Sequence, residues 1–159
     1  VENDNIAVRS VTCDVGPMRS IATIISLFLL LGCNEQIDES YSTYSEAQRA
    51  GAVERGWIPS FVPTSARNLK DTHDLDTSRQ TLRFTIPPSA AADMVSGFRA
   101  PSTDDKAAAL ELIDQHALAA TSKVYVICSE YRNGALAVDA ENGHVVFSTT
   151  VNWVDDDCG

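Results

Sequence analysis

His73-Asp74-Leu75-Asp76 is the one local cluster of imidazole and carboxylates in this chain. A histidine beside acids can serve as half of a metal site or as a general acid–base pair, the basis of a small hydrolase or metal-dependent enzyme. The same four residues also read as a turn, because Asp side chains accept hydrogen bonds from nearby backbone amides. The turn with an exposed His73 is the expectation. His116 and His144 fall on a helix and at a hairpin edge, with no second histidine at i+3 or i+4, so both are read as surface residues. Asp155-Asp156-Asp157 lacks the spacing that curls a loop around Ca²⁺ and reads as a solvated acidic tail. Dinucleotide, P-loop, zinc-protease and nucleophile-elbow motifs are missing from the sequence. No catalytic residue, metal ligand or cofactor is therefore assigned.

Aromatic residues offer binding chemistry instead. Gly56-Trp57-Ile58-Pro59-Ser60-Phe61-Val62-Pro63 cannot be a helix interior, since each proline removes a donor and restricts its predecessor. It reads as an ordered extended loop. Trp57 and Phe61 then form either a stiff rim for a peptide or glycan, or a plug for the end of the core. Core is the expectation for Trp57.

The elements that must hold these residues follow from pattern. Ser45-Glu46-Ala47-Gln48 has the spacing of a capping box and predicts a helix to about Arg55, stopped by Gly56. Leu69 to His73 and Thr81 to Ile86 predict two strands around the Asp74–Thr77 turn. Pro87-Pro88 opens a helix with a stripe of Ala91, Met94, Val95 and Phe98. Ser102 to Asp105 caps a second helix to about Ala120, burying Leu110, Ile113 and Ala117. Three strands follow: Val124 to Cys128, Ala135 to Ala140, and one from Val145 to Trp153. Asn133-Gly134 and Asn142-Gly143 supply two-residue turns between them. The expected fold class is α+β: a two-stranded hairpin plus a three-stranded C-terminal meander, with about three helices on one face.

The N-terminal region is read separately. Met18-Arg19-Ser20, the apolar run Ile21 to Leu31, and Gly32 match a charged n-region, an h-region and a small residue at a cleavage point. The run covers about 16 Å as a helix, roughly half a bilayer core. Leu30-Leu31-Gly32-Cys33 resembles the lipobox of bacterial lipoproteins. That resemblance implies lipidation of Cys33, removal of residues 18–32 and anchoring in the cell envelope. Asn34, where Asp would imply inner-membrane retention, implies the outer membrane facing the periplasm. Residues 1–17 read as an upstream extension, residues 33–43 as a tether with an edge strand through Ser40 to Tyr44 as its alternative, and residues 44–159 as one domain.

With Cys33 acylated and Cys13 in the extension, Cys128 and Cys158 remain as one pair in an oxidising compartment. The first and third strands of a meander run the same way, which brings both cysteines to one end of the sheet. A Cys128–Cys158 disulfide is predicted.

Twelve basic residues against 22 acidic ones give a net charge of −10. This argues against nucleic acid as a partner and against electrostatic docking on anionic lipid. Tyr44, Gly56-Trp57-Ile58-Pro59, Pro63-x-Ser65-Ala66 and His73 to Thr77 resemble a family of small bacterial secreted and lipid-anchored proteins without an established activity. The resemblance spans roughly residues 41–98 and implies no active-site residues. The expected role is a lipid-anchored, non-catalytic binding or interaction module. Its partners would be the membrane, through the anchor, and an envelope protein, peptide or glycan.

Overall fold

The computed structural model describes residues 36–102, 105–128, 133–149, 154 and 158. The signal segment, Cys33, Val151, Trp153 and Asp155–Asp157 lie outside them. Six strands form one antiparallel sheet: β1 (Gln36–Thr43), β2 (Arg67–Asp74), β3 (Gln80–Thr85), β4 (Lys123–Ile127), β5 (Gly134–Asp139) and β6 (His144–Ser148). Their spatial order is β1-β2-β3-β6-β5-β4. The predicted hairpin and meander are both present, but they are not separate units. β6 pairs with β3 from Thr81↔Ser148 to Thr85↔His144 and joins them.

The expected tether over 33–43 is corrected from Gln36 onward, where β1 pairs along the whole length of β2. Its alternation places Glu39 and Tyr41 on the buried face.

Helix α1 (Tyr44–Arg49) is shorter than expected and starts two residues earlier. The cap is Thr43, not Ser45. Thr43 Oγ1 accepts from the Glu46 backbone N–H at 3.2 Å, and the Glu46 carboxylate accepts from the Ser42 N–H at 2.7 Å. Helix α2 (Pro88–Val95) starts at its proline as predicted.

Helix α3 (Lys106–Gln115) differs in phase from the expectation. Leu112 and Ile113 are buried, whereas Leu110 is 52% exposed. Ala117 lies beyond the helix, in the left-handed conformation at φ +51°. There Leu118 N–H donates to the Ile113 carbonyl and Ala117 N–H to that of Asp114, the pattern that usually places glycine at this position. Ala117→Gly should therefore raise stability by about 0.5–1 kcal/mol, the left-handed penalty less glycine's entropy. Urea unfolding would measure it.

The helices do not share one face, as had been expected. Cross-strand partners lie on the same side of a sheet. The row Leu82, Phe147, Leu136 and Tyr125 runs across β3, β6, β5 and β4 and packs with Ala47 of α1 and Ala91 of α2. Val126, Ala135 and Ala137 face the other side, against Leu112 and Ile113 of α3. β5 is therefore buried on both faces. So is most of β6, which was expected to alternate apolar with polar.

The meander turns also differ in detail. Gly134 is already within β5, paired with Ile127. The second turn spans four residues between Asp139 and His144, and only Gly143 takes positive φ. Cys128 and Cys158 form the predicted disulfide, with Cα atoms 5.5 Å apart.

Candidate functional site

Strand alternation sends Leu69, Asp71 and His73 of β2 to the inner face together. β1 brings Glu39 opposite Asp71 and Tyr41 opposite Leu69, while β3 brings Gln80 opposite His73. The segment after α1 then folds back over them. It lays the Trp57 ring on the His73 imidazole, with centroids 3.6 Å apart and planes 13° from parallel.

Two adjoining hydrogen-bonded groups result, and together they form a buried polar network. His73 Nδ1 lies 2.5 Å from Asp71 Oδ2, sharing one proton with it. Gln80 Nε2 donates to Asp71 Oδ1 and to the Trp57 carbonyl, each at 2.5 Å. Tyr41 OH donates to Glu39 Oε2 at 2.7 Å, and Arg55 Nη2 reaches both Glu39 oxygens at 3.2 Å. Burial pushes the Asp71 carboxyl up from its ordinary value. Burial, reinforced by the Glu39 hydrogen bond, pushes Tyr41 up to about 12.

His73 is 2% exposed and Asp71 1%. The exposed turn histidine of the sequence reading is therefore corrected: strand alternation carries it inward. Asp74, on the opposite side of the strand, keeps the predicted turn role. Its Oδ1 accepts from the N–H groups of Asp76 at 2.9 Å and Thr77 at 2.8 Å. The Thr77 amide, chief among these bonds, holds the Asp74 carboxyl below its ordinary value. The partners of His73 are thus Asp71 and Trp57, not Asp74 and Asp76. Leu69-x-Asp71-x-His73 was the available signal, since it has the period of a single strand face.

One donor atom each from Glu39, Asp71 and His73 lies within 4.8 Å of the others. A three-ligand metal centre could be built from such a set. Here the carboxylate oxygens already accept from Tyr41, Arg55 and Gln80 or share a proton with His73, so an ion would have to displace those partners. General acid–base work needs a substrate atom within hydrogen-bond reach of the base. His73 is buried, with Nδ1 taken up by Asp71 and one ring face covered by Trp57. Chemically, the cluster suits a closed polar core that fixes the register of β1, β2 and β3.

Trp57 is half-buried and covers the network rather than entering the apolar core. Phe61, also half-buried, stands edge-on to Phe98 and Phe147, with centroids 5.7 and 5.2 Å away. It lines an open groove of about 620 Å³ with Tyr44, Val53, Ile58, Arg55 and Phe147. His116 and His144, read as unrelated surface residues, line one cavity on the outer face of the sheet.

Residues 35–85 match the family model of the YbbD head domain. No curated protein and no solved structure matches the chain. The matched stretch is about a third of the chain and runs from β1 through β3. Every residue of the polar network, from Glu39 to Gln80, falls inside it, so the similarity to the YbbD head domain covers the part of the fold that this network organises.

Proposed function

We propose that this chain is a lipid-anchored protein of the bacterial cell envelope that binds a peptide segment of an envelope partner without transforming it. The anchor is Cys33, placed by its lipobox-like context, and Asn34 assigns the protein to the outer membrane facing the periplasm. The observation that carries the binding reading is the groove of about 620 Å³ under the proline-bounded loop. Rings of Tyr44, Phe61 and Phe147 and the side chain of Ile58 wall it, and Arg55 stands at its rim. Apolar walls with one charged group at the edge suit a short peptide anchored by a hydrophobic side chain. His73 and Asp71 are buried and line no part of this groove, so the binding reading does not draw on them. In the described residues, no helix is long and apolar enough to cross a membrane. Attachment through an acyl chain is compatible with that.

A photo-crosslinking residue at Ser60, on the groove wall, tests the reading in native envelopes. One adduct should form, and Phe61→Ala should abolish it. The domain should stay folded, because only part of the full aromatic truncation cost of about 3–5 kcal/mol applies to a half-buried ring. Cys33→Ser should move the protein from the membrane fraction to the soluble one. An adduct unaffected by Phe61→Ala would remove the groove from the binding site. A hydrolytic activity lost in a folded His73→Asn variant would replace this reading with the enzymatic one.

A further inference from the structure

We infer that the cavity between the end of α3 and the β5–β6 turn binds a small molecule carrying an oxyanion, a phosphate or a carboxylate, held by Arg83, His116 and His144. The cavity measures about 450 Å³, within the roughly 300–1,000 Å³ typical of small-molecule sites. It lies on the face opposite the Trp57 network and uses none of that network's residues.

Arg83 projects from β3 on this face, and its Nη2 lies 2.8 Å from His116 Nδ1. A guanidinium can only donate, so Nδ1 accepts, the imidazole is neutral and its own proton sits on Nε2. Burial and the neighbouring Arg83 both lower the His116 pKa, in keeping with the neutral ring. Arg83 and His116 together thus offer donors and, between them, one positive charge. Among the described residues no carboxylate reaches salt-bridge distance of Arg83, in a chain whose net charge is −10.

The one carboxylate in the cavity lining is Asp139, the cross-strand partner of His144, and both of its oxygens accept hydrogen bonds within its own turn. Asp139 Oδ1 accepts from the N–H groups of Glu141 and Asn142, both at 3.1 Å, and Oδ2 accepts from Asn142 Nδ2 at 2.8 Å. These bonds, led by the Asn142 amide, hold its pKa below the ordinary value. Two further cations stand beside the cavity: Lys70 is the cross-strand partner of Arg83, and Arg67 that of Thr85. His144 is Thr85's partner on the other side. An oxyanion would supply acceptors and negative charge where donors and cations converge, and guanidinium recognises both phosphate and carboxylate through its fork.

Side-chain NMR of the full chain tests this, with inorganic phosphate and acetate titrated separately against sodium chloride at matched ionic strength. The expected result is saturable shifts of the His116 and His144 rings and of the Arg83 Nε–H. The tighter of the two probes identifies the oxyanion geometry. Arg83→Gln should weaken binding about tenfold or more, as loss of a charge-assisted bond does. Should that variant fail to fold, the exposed His144→Gln carries the same decision and should weaken binding measurably. Shifts that follow ionic strength alone, or affinity unchanged in these variants, would overturn the site.

Discussion

Asp71→Ala should lower the unfolding free energy by about 3–5 kcal/mol, the cost of removing one partner from a buried charge-assisted cluster. The carboxylate is the hub of the network. Its loss takes one acceptor from Gln80 Nε2, which keeps the Trp57 carbonyl, and removes the carboxylate partner of His73 Nδ1, beside the Glu39–Arg55 ion pair. Asp71→Asn should cost less, because it retains an acceptor for Gln80. The two variants also separate charge from shape. Burial raises the Asp71 carboxyl, so the folded state binds its proton more tightly than the unfolded chain. The resulting stability is full below the ordinary carboxylate range and is lost as pH rises through the raised folded value. The advantage of wild type over Asp71→Asn should therefore shrink as pH rises. Urea midpoints of both proteins across that range measure it. An advantage that grows with pH would mean that attraction between Asp71 and His73 outweighs desolvation.

Gly143→Ala should cost about 2–5 kcal/mol, combining the left-handed penalty with a collision. Gly143 sits at φ +72°, and a Cβ there would overlap the carbonyl oxygen of Ile86. That approach cannot relax freely, since Ile86 N–H donates to the Gly143 carbonyl at 2.8 Å and Gly143 N–H to that of Asp139. Gly56→Ala is the matched control. Gly56 has φ +81° with open space around the added atom, so only the backbone penalty of about 1–2 kcal/mol applies. Thermal or urea unfolding of both variants should separate the two costs. Equal losses would show that the contact with Ile86 yields.

Local signals in the sequence marked elements well and partners poorly. The proline entry of α2, the β2–β3 turn at Asp74 and the three strands of the meander all rest on neighbours in sequence, and the structure contains them. β1 was hidden because Gln36–Thr43 offers only Ile37 and Tyr41 as apolar residues. Glu39 can lie inside only because Arg55, sixteen positions away, and Tyr41 satisfy it. The turn after His73 masks its direction, which Leu69 and Asp71 before it set. In α3, Ala109-Leu110-Glu111-Leu112-Ile113 permits two stripes. The one ending on Ala117 fails because the helix stops at Gln115. The β3–β6 pairing links segments about sixty residues apart, and nothing in either strand announces it. The grouping of Arg83, His116 and His144 depends on that pairing, so it was equally invisible.

β1 begins three positions after Cys33, and three residues reach at most about 10 Å. An acyl group on Cys33 would therefore be a short leash. The domain could not sample the depth of the periplasm and would stand on the bilayer by one end of its sheet. The register identifies that end: Gln36 pairs with Asp74, His73 with Gln80, Ser148 with Ala135, and Gly134 with Ile127 beside the disulfide. The acidic turn at Asp74 and Asp76 would meet the headgroups and resist lying flat on anionic lipid. Thr85, Asp139 and His144 lie at the other end, so the cavity at Arg83 would open away from the membrane, toward the surrounding solution.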